Sequence, residues 1–336
     1  MDLARERAQA MVNGFRVTQM AVTAIRLGLP DMLAAGPRSV EDLAATTGTL
    51  PGPLRRVMRA LAAHGFVDEQ ADGAFAANAV SELFRDQPGS MRAHALAVTA
   101  EGYAAWAELE YSVRTGKPAY EKVHGQPRWE HLASMPEANA VFNRFMADQS
   151  SRVAGELAEL PVWPSKGLVV DVGGGNGALV GGLLQRRPGL SGVVFDLPSG
   201  LLGALDAVDR DGVADRCQVV AGDFFEAVPT GGDIYLLKQI LHDWDDERAA
   251  AIVAACARAM RPGAMLLVVE WLLPEQAVRE GPGLRAIIAD VHMLVLFGGR
   301  ERTSAEYQEM LREAGLASGR TFALPSGGGV WEAVRR

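Results

Sequence analysis

Cysteine is scarce: the 336 residues hold only Cys217 and Cys256, too few for a disulfide framework and in keeping with a reducing compartment. Basic charge is short as well. Lys and Arg number 33 against 41 Asp and Glu, a formal net charge of −8, which excludes a general phosphate-backbone binder unless a local basic patch overcomes that field. Long apolar runs are missing. The longest candidate, Met265 to Leu273, is interrupted by Glu270 and reads as a buried strand, so no membrane span or membrane partner is expected. The opening MDLARERAQAMVNGF lacks the basic start, apolar stretch and small-residue cleavage site of a signal peptide, and the chain is expected to be cytoplasmic. Internal repeats and low-complexity tracts are absent. What is present is a globular share of hydrophobic residues, 49%, over a length that favours one large domain beside a smaller one.

Up to about residue 155 the patterning is helical. Apolar residues from Met11 to Leu33 recur at helical spacing, broken at Gly28-Leu29-Pro30. Ser39-Val40-Glu41-Asp42 resembles a capping box opening a short helix that ends at Gly48. LRRVMRALAAHGFV follows as an amphipathic helix closed by Gly65, and DEQADGAFAAN has the shape of a hairpin around Gly73. Two short helices and a hairpin suggest a winged-helix unit, which invites a DNA-binding reading. Arg55, Arg56 and Arg59 lie on the would-be recognition helix, but Asp68, Glu69 and Asp72 crowd the would-be wing and the segment has no lysine. No nucleic-acid partner is expected; a dimerisation or lid role is.

Beyond the linker Pro161-Val162-Trp163-Pro164, strand-like and helix-like runs alternate in a βαβ rhythm. In order come GLVVDVGGG, a helix from Ala178, GVVFDLP, a helix through Leu205, CQVVAGD, DIYLLKQIL, a helix from Asp245 to Met260, and AMLLVVEWLL. This predicts a doubly wound parallel sheet with helices on both faces. RTFALP and GVWEAVR, after a helix from Ser304 to Ala314, suit a sheet edge that turns antiparallel.

Val169 to Gly177, VVDVGGGNG, is a buried strand entering a glycine-rich turn that opens a helix. Glycines belong there because a ligand's close approach leaves no room for a Cβ and because such turns need positive φ. With Ala178 the stretch also satisfies the dinucleotide pattern G-x-G-x-x-G/A, and Asp196 ends the next strand where a carboxylate accepts ribose hydroxyls. NAD and S-adenosylmethionine fit this loop equally well.

The motifs DVGGGNG, FDLP, GDFF, LLKQILHDWDDE, VVE and GGRERT discriminate between them. In this order and spacing the sequence resembles the caffeate-type small-molecule O-methyltransferases of plants and their bacterial relatives in natural-product tailoring, over essentially the whole chain. The resemblance implies a Rossmann-like α/β methyltransferase domain over 156–336, an N-terminal all-α, winged-helix-like dimerisation and substrate-lid domain over 1–155, a homodimer, and S-adenosyl-L-methionine as cofactor. It implies that Met146, Ser150, Gly173, Gly175, Asp196, Leu197, Asp223, Phe224 and Lys238 bind the cofactor. Phe142, Met146, Asp243, Met293 and Phe297 are expected at the substrate, and His242 matches the catalytic base with Glu270 and Glu301 flanking it.

The physical logic runs alongside. A sulfonium methyl is already activated, so the acceptor oxygen chiefly needs alignment and loss of its proton. A histidine of ordinary pKa, about 6.5, is poised to take a phenolic proton near neutrality, and a neighbouring carboxylate would fix its tautomer and stabilise the imidazolium. Asp245 and Asp246 read as N-cap and first-turn residues rather than metal ligands, and no metal is expected. Trp244 reads as packing. The stretch 290–303 departs from the plant pattern, so plant substrates are not carried over. The acceptor is expected to be a small aromatic or polyketide-like molecule, with carbon or nitrogen methylation, or a nicotinamide oxidoreductase, as the alternatives.

Overall fold

The computed structural model describes residues 2–336. The described residues form two compact units, one up to Ala100 and the other Glu101–Arg336.

The first unit is helical where the apolar spacing is helical, and it breaks at glycine. Asp2 caps the helix Leu3–Arg26 by accepting from the Ala4 amide. Gly28, left-handed at φ 71°, turns the chain into Leu29–Leu33. Ser39 accepts from the Asp42 amide at the start of Val40–Thr47, as the capping pattern predicts, and Pro51–Ala63 follows. Strands β1 (Asp68–Glu69) and β2 (Phe75–Ala76) pair antiparallel around Gly73. Ile25, Leu43, Met58, Leu61 and Phe75 form the core of this unit. Arg55 pairs with Glu41 and Arg59 with Glu69, so acids of the same unit answer these arginines. On the first helix Met11 is 83% and Phe15 55% exposed, whereas Ile25 is fully buried. On that helix the exposed large apolar residues, Leu3, Met11, Val12 and Phe15, all lie in the N-terminal half.

The second unit contains a seven-stranded sheet. Its strands are β3 (Gly167–Val172), β4 (Leu190–Asp196), β5 (Cys217–Ala221), β6 (Ile234–Lys238), β7 (Met265–Trp271), β8 (Leu316–Ala323) and β9 (Gly328–Arg335). They lie in the order β5-β4-β3-β6-β7-β9-β8. β3 to β7 are mutually parallel, and β9 enters antiparallel between β7 and β8. Alternate residues of β3 feed opposite cores: Val170 and Val172 pack with the helices Asp246–Ala259 and Ser304–Glu313, and Val169 with Pro136–Ala158 and Ala178–Arg186. Strand order reverses between β3 and β6, the switch point outside whose strand carboxyl ends doubly wound sheets bind their ligands.

Two boundaries differ from the sequence reading. After β4 the chain turns through residues 197–203 and the helix begins only at Ala204, with Gly203 left-handed at φ 78°. A Cβ on Gly200 would stand 2.6 Å from the Asp196 carboxyl, so this turn folds against that side chain. Position 155, the expected domain division, falls inside the helix Pro136–Ala158. The compact division lies upstream because Gly102–Trp106 and Ala119–His124 pack on the helix Gly281–Leu296 of the sheet-bearing unit.

Candidate active site

The glycine loop after β3 is held by backbone bonds. The amides of Gly173 and Gly174 both donate to the Phe195 carbonyl, at 2.8 and 3.2 Å. Gly173, Gly175 and Gly177 all have positive φ. At Gly173 the positive φ favours glycine, and a Cβ there would in addition have to displace the end of the Ile240 side chain. Asp196, at the end of β4, accepts from the Gly175 amide at 2.8 Å and from the Leu197 amide at 2.7 Å. Burial raises its pKa, and the two amides hold it back. The expected ribose carboxylate thus also ties the glycine loop to β4. Phe224, next to Asp223 after β5, reaches back toward Gly173 and meets Phe225 and Trp244 edge to face. Trp244 is packing, as expected.

Lys238 ends β6 with its side chain buried, its Nζ 3.3 Å from Ser150 Oγ. Burial pulls its pKa down to about 8 against the raising pull of Glu270, Asp171 and Asp243. Ser150 follows Met146 and Phe142 at four-residue spacing on the helix Pro136–Ala158, which sets all three on one helix face. Asp171 of β3, absent from the expected site, is 1% exposed, and its pKa rises to about 7 through burial.

Three residues past Lys238 begins the short 3-10 turn Leu241–Asp243. Gln239, immediately before it, takes φ 54°, the one positive φ at a non-glycine among the described residues. Such strain persists only where surroundings over-determine it. Here Glu270, from β7, accepts from the Ile240 and Leu241 amides with Oε1, at 2.9 and 2.8 Å. Arg302, 1% exposed, donates to the Leu241 and Trp244 carbonyls from below. Gly299 lies flat against the turn, where any Cβ would overlap the His242 carbonyl.

The motif ERT therefore divides its labour. Glu301 meets the histidine, Arg302 grips the turn, and Thr303 forms a capping box with Glu306. Asp245 caps the helix Asp246–Ala259 and Asp246 lies in its first turn, the structural roles expected of them, and Asp246 also pairs with Arg302.

His242 itself is buried. Its Nδ1 lies 2.9 Å from Glu301 Oε1 and 3.3 Å from Glu270 Oε2, and its Nε2 lies 3.5 Å from Asp243 Oδ1. Burial alone would lower its pKa. Glu270, Glu301 and Asp243 outweigh that and push it up to about 10. Burial raises Glu270 to about 7 and Asp243 to about 6, each held back by His242. The expectation of a histidine at its ordinary pKa is corrected: the three carboxylates favour its charged form against burial. Ligand atoms of His242, Glu270 and Glu301 fall within 4.8 Å of one another, a spacing that also suits a metal.

The expected substrate residues gather in part. Phe142 and Phe297 both flank Trp129, with ring centroids 5.7 and 5.0 Å away. Met293 is buried near the end of the helix Gly281–Leu296, and its carbonyl accepts from Phe297 and Gly298. His292 accepts from Trp106 Nε1 at 3.1 Å. Arg128 went unread in the sequence although it is buried over both Phe142 and Phe297. Its only local signal is a cation inside the aromatic-bearing stretch Arg128-Trp129.

Comparison with known proteins places this geometry. Residues 106–317, more than half of the chain, match the O-methyltransferase domain, and residues 10–86 match the O-methyltransferase dimerisation domain. A phenazine O-methyltransferase of Lysobacter antibioticus is 38% identical over 96% of this chain and 94% of its own. A mitomycin biosynthesis 6-O-methyltransferase of Streptomyces lavendulae is 36% identical over 97% of this chain and 92% of its own. A solved O-methyltransferase from neocarzinostatin biosynthesis, in complex with S-adenosylmethionine and 2-hydroxy-5-methyl naphthoic acid, superposes with a TM-score of 0.83. It is 33% identical and covers 95% of this chain and 96% of that one. The chain belongs to the O-methyltransferase family and is an S-adenosylmethionine-dependent O-methyltransferase.

Proposed function

We propose that the enzyme methylates a hydroxyl of a small aromatic natural product and that His242 removes the hydroxyl proton. The observation that carries this is the pairing of the two histidine nitrogens. Both glutamates approach Nδ1, which favours a proton there, while Nε2, with Asp243 Oδ1 3.5 Å away, is the atom that takes the acceptor's proton. As the O–H bond breaks, the new imidazolium charge is stabilised by carboxylates already in place. The bound cofactor supplies an activated methyl on sulfur. Its fit is supported by the left-handed glycine loop, the Asp196 carboxylate on the ribose side and the Lys238–Ser150 pair.

The acceptor class is drawn from the relatives, which are named for a phenazine, a mitomycin and a complex with a naphthoic acid, all flat ring systems. Phe142, Trp129 and Phe297 would provide a wall for such a molecule. A base is preferred over a metal centre because a metal on Nδ1 would displace the proton that both glutamates hold; activity should then survive a chelator. The protein is read as a homodimer joined through the dimerisation domain, whose first helix exposes Met11, Val12 and Phe15. We read it as cytoplasmic, a reading supported by two buried free cysteines that a reducing compartment would keep as thiols.

The test is a screen of hydroxylated phenazines, naphthoates and quinones with S-adenosylmethionine. Products are read by mass spectrometry for the gain of a methylene and by NMR for a methyl on oxygen. Methyl gain only on nitrogen or carbon would remove the hydroxyl from the reading.

A further inference from the structure

A buried guanidinium beside the catalytic turn has no part in the roles given so far. Arg128 begins the helix Arg128–Ala133 and is 6% exposed. Its Cζ lies 4.8 Å from the Phe142 ring centroid and 5.0 Å from that of Phe297. Nε and Nη2 both donate to a single oxygen, Glu101 Oε1, at 3.2 and 2.9 Å. This side-on pairing engages one edge of a fork that carries five N–H bonds. The guanidinium also hydrogen-bonds Tyr120, which leaves part of the fork for a ligand, and its charge reaches Asp243, where it opposes the burial-driven rise in pKa. Asp243 in turn stands 3.5 Å from His242 Nε2, the proposed proton-accepting atom. Arg128 thus lies against two of the rings that would hold the arene, with its charge felt by Asp243 beside the base.

We propose that Arg128 is a specificity-determining residue that binds an anionic oxygen substituent, above all a carboxylate, on the aromatic acceptor. This rests on the reading of the enzyme as a methylase of aromatic hydroxyls. A purely apolar acceptor would gain nothing from a buried guanidinium, whose desolvation is unfavourable unless its N–H bonds are used. A flat aromatic acid uses both properties of the group: its carboxylate matches the planar fork, and its ring shares the aromatic faces on which that fork already rests. Glu101 fixes the side chain beforehand, so little rotamer freedom is lost when the acid binds.

The experiment compares hydroxybenzoic and hydroxynaphthoic acids, each beside its methyl ester, at saturating S-adenosylmethionine. Wild type is expected to favour the acids in kcat/KM. Arg128→Gln should remove that preference, lowering the acids by roughly tenfold to a hundredfold, the usual effect of deleting one partner of a charge-assisted hydrogen bond, and leaving the esters near wild type. Arg128→Lys should recover part of the preference, because it keeps the charge but not the fork. If Arg128→Gln fails to fold with Glu101 left buried and unpaired, the double variant Arg128→Gln, Glu101→Gln removes both charges together. Equal turnover of acids and esters by wild type overturns the proposal, as does an equal loss of both substrates in the variants. Methylation of esters alone, or of a hydroxylated phenazine or quinone but of neither the acids nor their esters, overturns this role and leaves the aromatic-hydroxyl reading standing.

Discussion

His242 Nδ1 and Glu301 Oε1 stand 2.9 Å apart across 59 residues of sequence, and both groups are buried. Arg302 follows Glu301 in the chain and grips the turn that carries His242. One short segment therefore sets both the charge beside the base and the position of the base.

If His242 is the base, His242→Ala should keep affinity for S-adenosylmethionine and lose about 10²–10⁴-fold in single-turnover rate. Calorimetry and rapid quench on the same variant check this. Near wild-type chemistry at saturating cofactor would show that alignment alone drives transfer.

The pH profile follows from the raised histidine. A base acts only when unprotonated, and Glu270, Glu301 and Asp243 hold the proton on His242 up to about pH 10. The kcat/KM profile, which reports the free enzyme, should therefore keep climbing above the ordinary histidine range. Removing an anion lowers the histidine's pKa, so Glu301→Gln should move the rising limb to lower pH while reducing the maximal rate less than His242→Ala does. A limb that stays in place defeats the electrostatic account.

Asp196→Ala should weaken cofactor binding by roughly tenfold to a hundredfold. It also leaves the Gly175 and Leu197 amides without their acceptor, so the loop should exchange its amide hydrogens faster. Unchanged affinity by calorimetry would take Asp196 out of the ribose site.

Gly299→Ala should damage the catalytic turn without touching a charged group. Its methyl would overlap the backbone at His242, Asp243 and Trp244, and such overpacking typically destabilises by about 1–3 kcal/mol. Thermal melts should fall and activity should drop, with S-adenosylmethionine affinity less affected. A fully active, equally stable variant would mean that the turn yields easily.

The dimer is best tested on the exposed face of the first helix. Deleting the first thirty or so residues would also remove Ile25 and Leu29 from the core. Met11→Glu with Phe15→Glu places charges only where the side chains are 83% and 55% exposed. Sedimentation should show a shift toward monomer with an intact fold. A dimer of wild-type strength would move the interface elsewhere.

Much of this protein was legible from local sequence because its signals are local. The run Val169 to Gly177 announces a strand, a left-handed turn and a helix, since burial and φ restrict those few residues directly. The cap at Ser39 and the alternation from β3 to β7 are of the same kind. The identity of His242 and its flanking carboxylates came from motif order, not from any periodicity. Three matters were decided only by tertiary structure. The late start of the helix at Ala204 depends on the turn that folds over Asp196. Arg128 is tied to the site through Glu101, Phe142 and Phe297, which lie on other segments. The raised pKa of His242 is the plainest case, because a proton's affinity is set by burial and by charges a few ångströms away, and the chain brings those charges together only when the sheet closes.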